Sequence, residues 1–307
     1  YQSLAELFLS QAKRYGDRVL YRFARNGHWE TYTWQETLRR VREIALGLVS
    51  LGVRKGDRVA IFSANRVEWS LIDWANICVG ALTVPVYSSS TPSQLSQILD
   101  HSGSTVLFAE SPERLAKMDP LNASLRRVNE IIVIDPAGGS GPSGMEPHRA
   151  LSLYELQEKG RRYGEKNEGA FDRLAYSLRP EDDLTIIYTS GTTGEPKGVL
   201  TTHAHYLFVI AAVDSAILFT DQDVNLQFLP FAHSFGRLEH FMVVAKGVTC
   251  AFARSMETIA KDLQAIRPTL LFSVPRIYEN AYSRIRSRVV AGNALQRLLF
   301  RCAVSAG

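Results

Sequence analysis

The sequence predicts a mixed α/β protein in which two sheet subdomains are stacked on each other. Short apolar runs bounded by turn residues alternate with amphipathic segments along the chain, which is typical of parallel sheets flanked by helices. Hydrophobic residues make up 46% of the 307 residues. That share is enough for a substantial core in one large or two medium domains.

The N-terminal part of the chain is predicted to form two helices around a short hairpin. Apolar residues recur with helical spacing in Leu4–Tyr15. Two strand-like segments, Val19–Phe23 and Glu30–Tyr32, flank Asn26-Gly27, a pair typical of tight hairpin turns. The second helix is expected to start at Thr33-Trp-Gln-Glu36, because this pattern forms a capping box that satisfies backbone N–H groups.

A parallel sheet is predicted next. Arg58–Phe62 and Leu82–Val86 are strand-like, and Glu68–Val79 between them is helical. This order is a βαβ unit, in which the two strands run parallel. The series continues with a helix at Gln94–His101 and strands at Thr105–Phe108 and Ile131–Ile134.

The later part of the chain is predicted to add a second α/β layer. Its helices and strands alternate in the same way, which again favours strands covered by helices. The predicted helices are Ala204–Ile217 and Met256–Ile266, and the predicted strands are Asn225–Leu229, Gly247–Phe252 and Thr269–Val274.

Composition narrows the class of protein. Apolar runs stay well short of the roughly 20 residues that a membrane-spanning helix needs, and the first residues lack the pattern of a signal peptide, so we expect a cytoplasmic protein. Basic residues are spread along the chain and nearly balanced by acidic ones, with a net charge of +4, which does not indicate nucleic-acid binding. Cys78, Cys250 and Cys302 are far apart among apolar neighbours, so we expect reduced core residues and neither disulfides nor a zinc site.

The segment Tyr188–Val199 has the composition of a phosphate-binding loop. It contains three glycines, three threonines, a serine and a lysine directly after the apolar run Leu184–Ile187. Gly191 and Gly194 allow the backbone to turn its N–H groups toward one point, and the hydroxyls add further donors for phosphate oxygens. Lys197 supplies the cation.

Two familiar phosphate-binding loops do not match this segment. A Walker A loop requires Gly-Lys-Ser/Thr five residues after its first glycine, but Pro196 stands there and Gly198 follows Lys197. The glycines also lack the spacing of a dinucleotide fingerprint. A polar hairpin between strands would explain the glycine and threonine content, although it does not require the serine, the three threonines and Pro-Lys-Gly together.

The segment resembles the signature of the AMP-forming adenylate synthetases, the superfamily of acyl-CoA ligases, luciferases and peptide-synthetase adenylation domains. The resemblance implies that the loop binds the β- and γ-phosphates of ATP, that Thr189 holds Mg²⁺, and that Thr189 and Lys197 are catalytic. An enzyme that expels pyrophosphate must neutralise charge on this leaving group. The residues implied in phosphate binding are Thr189, Ser190, Gly191, Thr192, Thr193, Gly194 and Lys197. The segments Thr31–Glu36 and Val79–Val86 also resemble early motifs of the superfamily.

A second segment, Leu229–His240, resembles the substrate-pocket motif of the superfamily. It follows a predicted strand, at the edge where open α/β sheets bind ligands. The resemblance implies that His233 and Phe235 contact the acyl substrate and that Gly236 leaves space for it. The alternative is structural, because a histidine and a phenylalanine after a strand often serve in packing or helix capping.

The pattern from Leu229 to Arg237, together with Arg267–Glu279, is similar to long-chain fatty-acid CoA ligases in particular. The function implied is ATP-dependent activation of a long-chain fatty acid to acyl-AMP and transfer of the acyl group to CoA. A fatty acyl-AMP ligase or an adenylation domain that loads a carrier protein stays open, as does a non-catalytic nucleotide-binding module. The sequence leaves peripheral contact with a membrane and the oligomeric state undecided.

The resemblance extends over residues 1–307 as the N-terminal AMP-binding domain of the superfamily. We divide it into a first α/β region, about 1–179, and a region with the phosphate loop and acyl pocket, 180–307. The later motifs of the superfamily, namely Tyr-Gly-x-Thr-Glu, Thr-Gly-Asp and the mobile C-terminal domain with its lysine, do not occur in this sequence. We therefore expect a fragment of a longer ligase that is inactive by itself.

Overall fold

The computed structural model describes residues 1–116, 127–136, 149–189 and 196–291, together with residues 299, 300, 302, 304 and 305. Residues 1–270 form one compact unit and residues 271–307 belong to another. Within residues 1–270 the fold is mixed α/β with two sheets, as predicted.

The N-terminal helices and hairpin are confirmed. They are α1 (Leu4–Tyr15), β1 (Val19–Arg25), β2 (His28–Thr33) and α2 (Trp34–Ser50). The turn residues Asn26 and Gly27 have φ angles of 50° and 81°, the left-handed region that a tight two-residue hairpin requires. The predicted capping box at Thr33 and Glu36 is present, with both side-chain to backbone hydrogen bonds formed.

The first sheet has seven described strands in the order β7-β6-β5-β3-β4-β8-β9. All neighbours are parallel except β8 and β9. Its strands are β3 (Arg58–Phe62), β4 (Leu82–Val86), β5 (Val106–Ala109), β6 (Glu130–Val133), β7 (Arg149–Ser152), β8 (Asp183–Thr189) and β9 (Lys197–Thr202). The helices in this part of the chain are α3 (Val67–Val79), α4 (Pro92–Ser102), α5 (Pro112–Ala116), α6 (Leu153–Lys166) and α7 (Ala170–Tyr176).

The second sheet has four described strands in the order β10-β11-β1-β2. It adds β10 (Val224–Gln227) and β11 (Thr249–Phe252) to the N-terminal hairpin, and β11 pairs in parallel with β1. The remaining helices of residues 1–270 are α8 (His203–Ala216), α9 (Ser234–Lys246) and α10 (Ile259–Ile266). The other unit contains α11 (Pro275–Ala291).

Helix α3 joins the two sheets. It packs on β4 of the first sheet, and its Trp74 donates a hydrogen bond of 3.2 Å to the hydroxyl of Tyr21 in β1. Trp69 and Trp74 are buried, and Trp74 stacks on Phe8 with ring centroids 4.8 Å apart. Burial of large aromatic side chains contributes roughly 1.5–3 kcal/mol each, so α3 holds the two sheets in a fixed arrangement.

Two strands of the first sheet, β7 and β9, have no counterpart among the predicted segments, and β8 contains the apolar run Leu184–Ile187. β7 is a short parallel edge strand, and β9 returns antiparallel along β8 immediately after the phosphate-loop motif. β9 consists of Lys-Gly-Val-Leu-Thr-Thr, which lacks strict alternation, so periodicity alone gives no strong strand signal. The predicted helix Met256–Ile266 begins at Ile259, because Ser255 and Thr258 form a hydrogen-bonded turn before it.

The prediction of a strand over Thr269–Val274 is wrong. Of the described residues 269–274, only Leu270 pairs with a strand residue. Its partner is Asn225, through an isolated bridge. Thr269 and Leu270 both donate to the carbonyl of Val224. An apolar run predicts burial, but a strand also needs a neighbouring strand to pair with along its length. The pattern of the run itself does not show whether such a neighbour is present.

The predicted boundary near residue 179 does not separate the two sheets. Strands β8 and β9 follow this boundary yet belong to the first sheet, whereas β1 and β2 precede it and belong to the second. As a division of function it stays a proposal.

Two further expectations from composition can be compared with the structure. Cys78 and Cys250 are buried as expected, but Cys302 is exposed, so the prediction that it is a core residue is wrong. Among the helices that the structure describes, none has the length and apolar character needed to cross a membrane.

Candidate active site

A cavity of about 420 Å³ lies where strand ends of the first sheet meet a turn from the second. Thr189 at the end of β8, Pro196 before β9 and His233 after β10 all contribute to its wall. Carboxyl-terminal edges of parallel strands are the usual ligand sites of α/β sheets. The structure therefore brings the two motifs predicted from sequence to one cavity.

The phosphate-loop motif connects neighbouring antiparallel strands. Thr189 and Lys197 are register partners at the loop end of the β8 and β9 hairpin, and both are exposed. The flanking strands β8 and β9 are thus antiparallel, as in the hairpin alternative considered above, and this pairing is compatible with a phosphate-binding role. Ser190, Gly191, Thr192, Thr193 and Gly194 lie outside the described residues.

The end of β8 is anchored to helix α4. The Tyr188 hydroxyl and Nδ1 of His101 are 2.8 Å apart, and the two rings meet edge to face. Tyr188 packs in the core of the first sheet, and burial raises the pKa of its phenol. This contact fixes the backbone from which Thr189 and the loop emerge.

His233 is the N-cap residue of α9. Its Nδ1 accepts a hydrogen bond of 3.2 Å from the backbone N–H of Phe235, so the neutral ring carries its proton on Nε2. The side chain is exposed and lines the cavity. The capping role considered above is therefore real, and it leaves Nε2–H as a donor that can serve a ligand.

Gly236 has a packing role that the sequence did not predict. A Cβ atom at this position would lie 2.3 Å from the carbonyl oxygen of Pro230. The space predicted for a substrate is therefore filled by the backbone of the preceding turn. Neither Phe235 nor Gly236 is part of the cavity wall, so their contact with an acyl group stays a proposal.

A second cavity of about 550 Å³ shares Tyr87 and Ser89 with the first. Its wall includes the apolar side chains of Trp69, Phe231 and Met256. No sequence pattern predicted this second cavity, because its residues come from segments that are far apart in the chain.

A fully buried charged cluster lies behind the His233 turn. Nη1 of Arg237 forms an ion pair with Oδ2 of Asp73, and Nε2 of His240 is 3.4 Å from the same oxygen. Burial opposes the charged form of Asp73, but Arg237 and His240 outweigh it and keep the pKa of this carboxyl below its usual value. Burial lowers the pKa of His240. Since Asp73 is in α3 and the other two are in α9, the cluster fixes α9 against the centre of the protein.

A second buried acid, Glu239, accepts hydrogen bonds from two amides. Asn225 Nδ2 and Gln227 Nε2 lie 2.8 and 2.9 Å from its carboxyl oxygens. Burial raises the pKa of Glu239 to about 8, although both amides oppose the shift. No sequence pattern predicted its burial, because a glutamate in a helix usually faces solvent.

We expect Glu239 to make stability depend on pH. A carboxyl whose pKa is raised on folding binds its proton more tightly in the native state, so its contribution is complete below the unfolded pKa and declines as pH rises toward about 8. Glu239→Gln removes this titration. Relative to the variant, the wild type should lose on the order of a few kcal/mol of unfolding free energy between about pH 5 and about pH 8.

Urea unfolding at the two pH values measures this effect. Glu165→Gln on the surface of α6 is the matched control and should leave the pH dependence as in the wild type. Equal pH dependence in the wild type and Glu239→Gln would rule out a titrating Glu239.

The chain belongs to the family of AMP-binding enzymes, whose sequence profile matches residues 8–303. It is 36% identical over 289 residues to the long-chain-fatty-acid–CoA ligase FadD15 of Mycobacterium bovis, an alignment that covers 94% of this chain and 46% of that protein.

Two further similarities are informative. A chloroplastic long-chain-fatty-acid–[acyl-carrier-protein] ligase of Arabidopsis thaliana, AEE15, is 28% identical over 305 residues, which cover 97% of this chain and 42% of that protein. The adenylation domain of a carboxylate reductase from Mycobacterium chelonae superposes with a TM-score of 0.78 at 22% identity, covering 95% of this chain and 49% of that one. The structural likeness shows the fold alone, and the chain spans less than half the length of both curated relatives.

Proposed function

We propose that the protein contributes the adenylating part of a long-chain fatty-acid CoA ligase. The reaction joins a fatty acid to the α-phosphate of ATP, releases pyrophosphate, and passes the acyl group from AMP to CoA. The observation that supports this most directly is the meeting of Thr189, Pro196 and His233 at one cavity. The similarity to ligases that are named for long-chain fatty acids supports the choice of acid.

Lys197 is proposed to neutralise charge on the departing pyrophosphate. It starts β9 directly opposite Thr189, so its ammonium group extends from the base of the loop. Fixed charges that meet the charge developing in a transition state are the main source of rate in phosphoryl transfer.

Thr189 is proposed to hold Mg²⁺ through its hydroxyl oxygen. A neutral oxygen is a ligand that Mg²⁺ accepts, usually together with water and substrate phosphates. Among the described residues that line the cavity, no carboxylate accompanies it, so phosphate oxygens would complete the set. When bound, the ion would supply positive charge at the leaving group.

His233 is proposed to orient the fatty-acid carboxylate. Because its Nδ1 accepts the capping hydrogen bond from Phe235, its Nε2–H is directed away from the helix. A carboxylate oxygen is a suitable acceptor for this donor. Holding the carboxylate in line with the α-phosphate lowers the entropic barrier of the attack. The second cavity, with Trp69 and Phe231, is the proposed place for the apolar chain.

The test is fatty-acid-dependent exchange of labelled pyrophosphate into ATP by the enzyme that contains this chain. Exchange is expected with long-chain acids and is expected to require Mg²⁺. Absence of exchange with every acid of a series from short to long chains would contradict an adenylating function.

The acyl acceptor is a separate question, because the AEE15 relative is named for acyl-carrier protein. Both acceptors share the adenylation step, so exchange alone does not distinguish them. We expect acyl-CoA when CoA is supplied after adenylation. Transfer to acyl-carrier protein with no transfer to CoA would instead identify a carrier-protein ligase.

A non-catalytic nucleotide-binding module is the alternative from another class. Such a module would bind ATP without fatty-acid-dependent exchange of pyrophosphate. The 307-residue chain alone is expected to bind ATP weakly and to form no acyl-CoA. Acyl-CoA synthesis by this chain, with contaminating ligase excluded, would show that the later motifs of the family are not needed.

A further inference from the structure

Asn65 connects the first sheet to the turn that carries His233. It lies in the loop after β3, and its side-chain Nδ2 donates a hydrogen bond of 2.6 Å to the carbonyl oxygen of Leu229. Its Oδ1 accepts one of 3.0 Å from the backbone N–H of Phe231. The two bonds flank Pro230, which has no N–H of its own, so Asn65 pairs with this backbone as a neighbouring strand would.

The turn that Asn65 holds determines where His233 lies. The backbone N–H of His233 donates to the carbonyl of Pro230 at 2.9 Å. That same carbonyl is the group against which Gly236 packs. Gln227 adds a third side-chain bond, 3.1 Å long, to the carbonyl of Leu229. His233 is thus attached to a turn whose backbone is fixed on several sides.

We infer that Asn65 is a positioning residue for the carboxylate-binding site, because its carboxamide fixes the Leu229–His233 turn and thereby the ring of His233. The inference rests on the proposed function. Asn65 follows a strand of the first sheet, the sheet that carries Thr189, whereas His233 follows β10 of the second sheet. The side chain of Asn65 therefore sets the separation between the carboxylate-binding ring and Thr189 on the first sheet.

The expected effect on catalysis is larger than the effect on folding. A single hydrogen bond between neutral groups contributes modestly to stability, and Trp69, stacked on Phe231 at 4.5 Å, still supports the turn when Asn65 is replaced. A displacement of about 1 Å at a reacting group, by contrast, can cost about 10²-fold in rate. This difference separates a positioning role from a purely structural one.

The kinetic test compares Asn65→Ala and Asn65→Asp with wild type in pyrophosphate exchange by the active enzyme. Asn65→Ala should lower kcat/KM for the fatty acid by roughly 10- to 100-fold and leave the KM for ATP within about twofold. Asn65→Asp keeps the acceptor for Phe231 but loses the donor to Leu229, so its loss should be intermediate. The matched control is Asn167→Ala, which removes a carboxamide hydrogen bond of 2.9 Å to the backbone carbonyl of Tyr163, and neither of these residues lines the two cavities. It should leave both KM values unchanged.

A second measurement does not depend on the reaction. Nitrogen NMR of the His233 ring should show a single tautomer protonated on Nε2 in the wild type and a tautomer mixture in Asn65→Ala, because the bond from Phe235 loosens with the turn. An unchanged His233 tautomer, or an unchanged kcat/KM for the fatty acid, overturns the inference. If the wild type shows no exchange, the proposed function fails, and the tautomer measurement alone decides whether Asn65 positions His233.

Discussion

Replacing Lys197 with alanine is expected to slow adenylation by about 10²–10³-fold, because the departing pyrophosphate loses a preorganised cation. Lys197 is exposed at the start of β9, opposite Thr189, so its removal should not disturb the core. Thr192→Ala, in the loop itself, is expected to act in the same direction. Fatty-acid-dependent pyrophosphate exchange by the active enzyme measures both effects.

Lys261→Ala on the surface of α10 is the control for loss of a lysine, and its exchange rate should equal that of the wild type. The fluorescence-monitored unfolding curves of all three variants should match the wild type. Exchange within a few-fold of wild type for both Lys197→Ala and Thr192→Ala would place the phosphates elsewhere.

Replacing Asp73 with asparagine is expected to destabilise the protein by about 3–5 kcal/mol. The side chain keeps its shape and its acceptor for the hydroxyl of Thr83, 2.7 Å away, but the buried guanidinium of Arg237 loses its counter-charge. Breaking a buried ion pair from one side leaves an uncompensated charge, which is the costly case. Unfolding in urea, monitored by tryptophan fluorescence, measures the change.

The double variant Asp73→Asn, Arg237→Met separates charge from packing. Methionine removes the unpaired charge while filling part of the space between Trp69 and Phe241, whose rings lie 5.2 and 4.8 Å from the guanidinium carbon. Removing both charges should restore much of the lost stability. A double variant less stable than Asp73→Asn alone would mean that Arg237 acts through packing and not through its charge.

Local patterns predicted much of the first 110 residues. The hairpin around Asn26-Gly27 and the capping box at Thr33 depend on backbone preferences of single residues, and both are present. The βαβ unit from Arg58 to Val86 likewise follows from short buried runs around a helix. These features need no information from distant parts of the chain.

The assignment of strands to sheets could not be predicted in this way. The N-terminal hairpin pairs with β11, more than two hundred residues away in sequence, and β8 pairs with β4. An apolar strand can pair equally well with many other strands. Which strands pair therefore depends on how α3 packs between the sheets. The strand expected at Thr269–Val274 failed for the same reason, since its residues lack a paired partner along their length.

For the candidate site, the proposed chemistry follows from residue types that can be read along the chain, whereas the geometry follows from how distant segments pack. The glycines, threonines and lysine of residues 188–199 suit phosphate wherever the loop lies, because their donors and charge are properties of the residues. That Thr189 and His233 border one cavity, that Gly236 packs on Pro230, and that Asp73 pairs with Arg237 depend on contacts between distant segments. Such contacts form only when both sheets are buried against α3, so no local pattern encodes them.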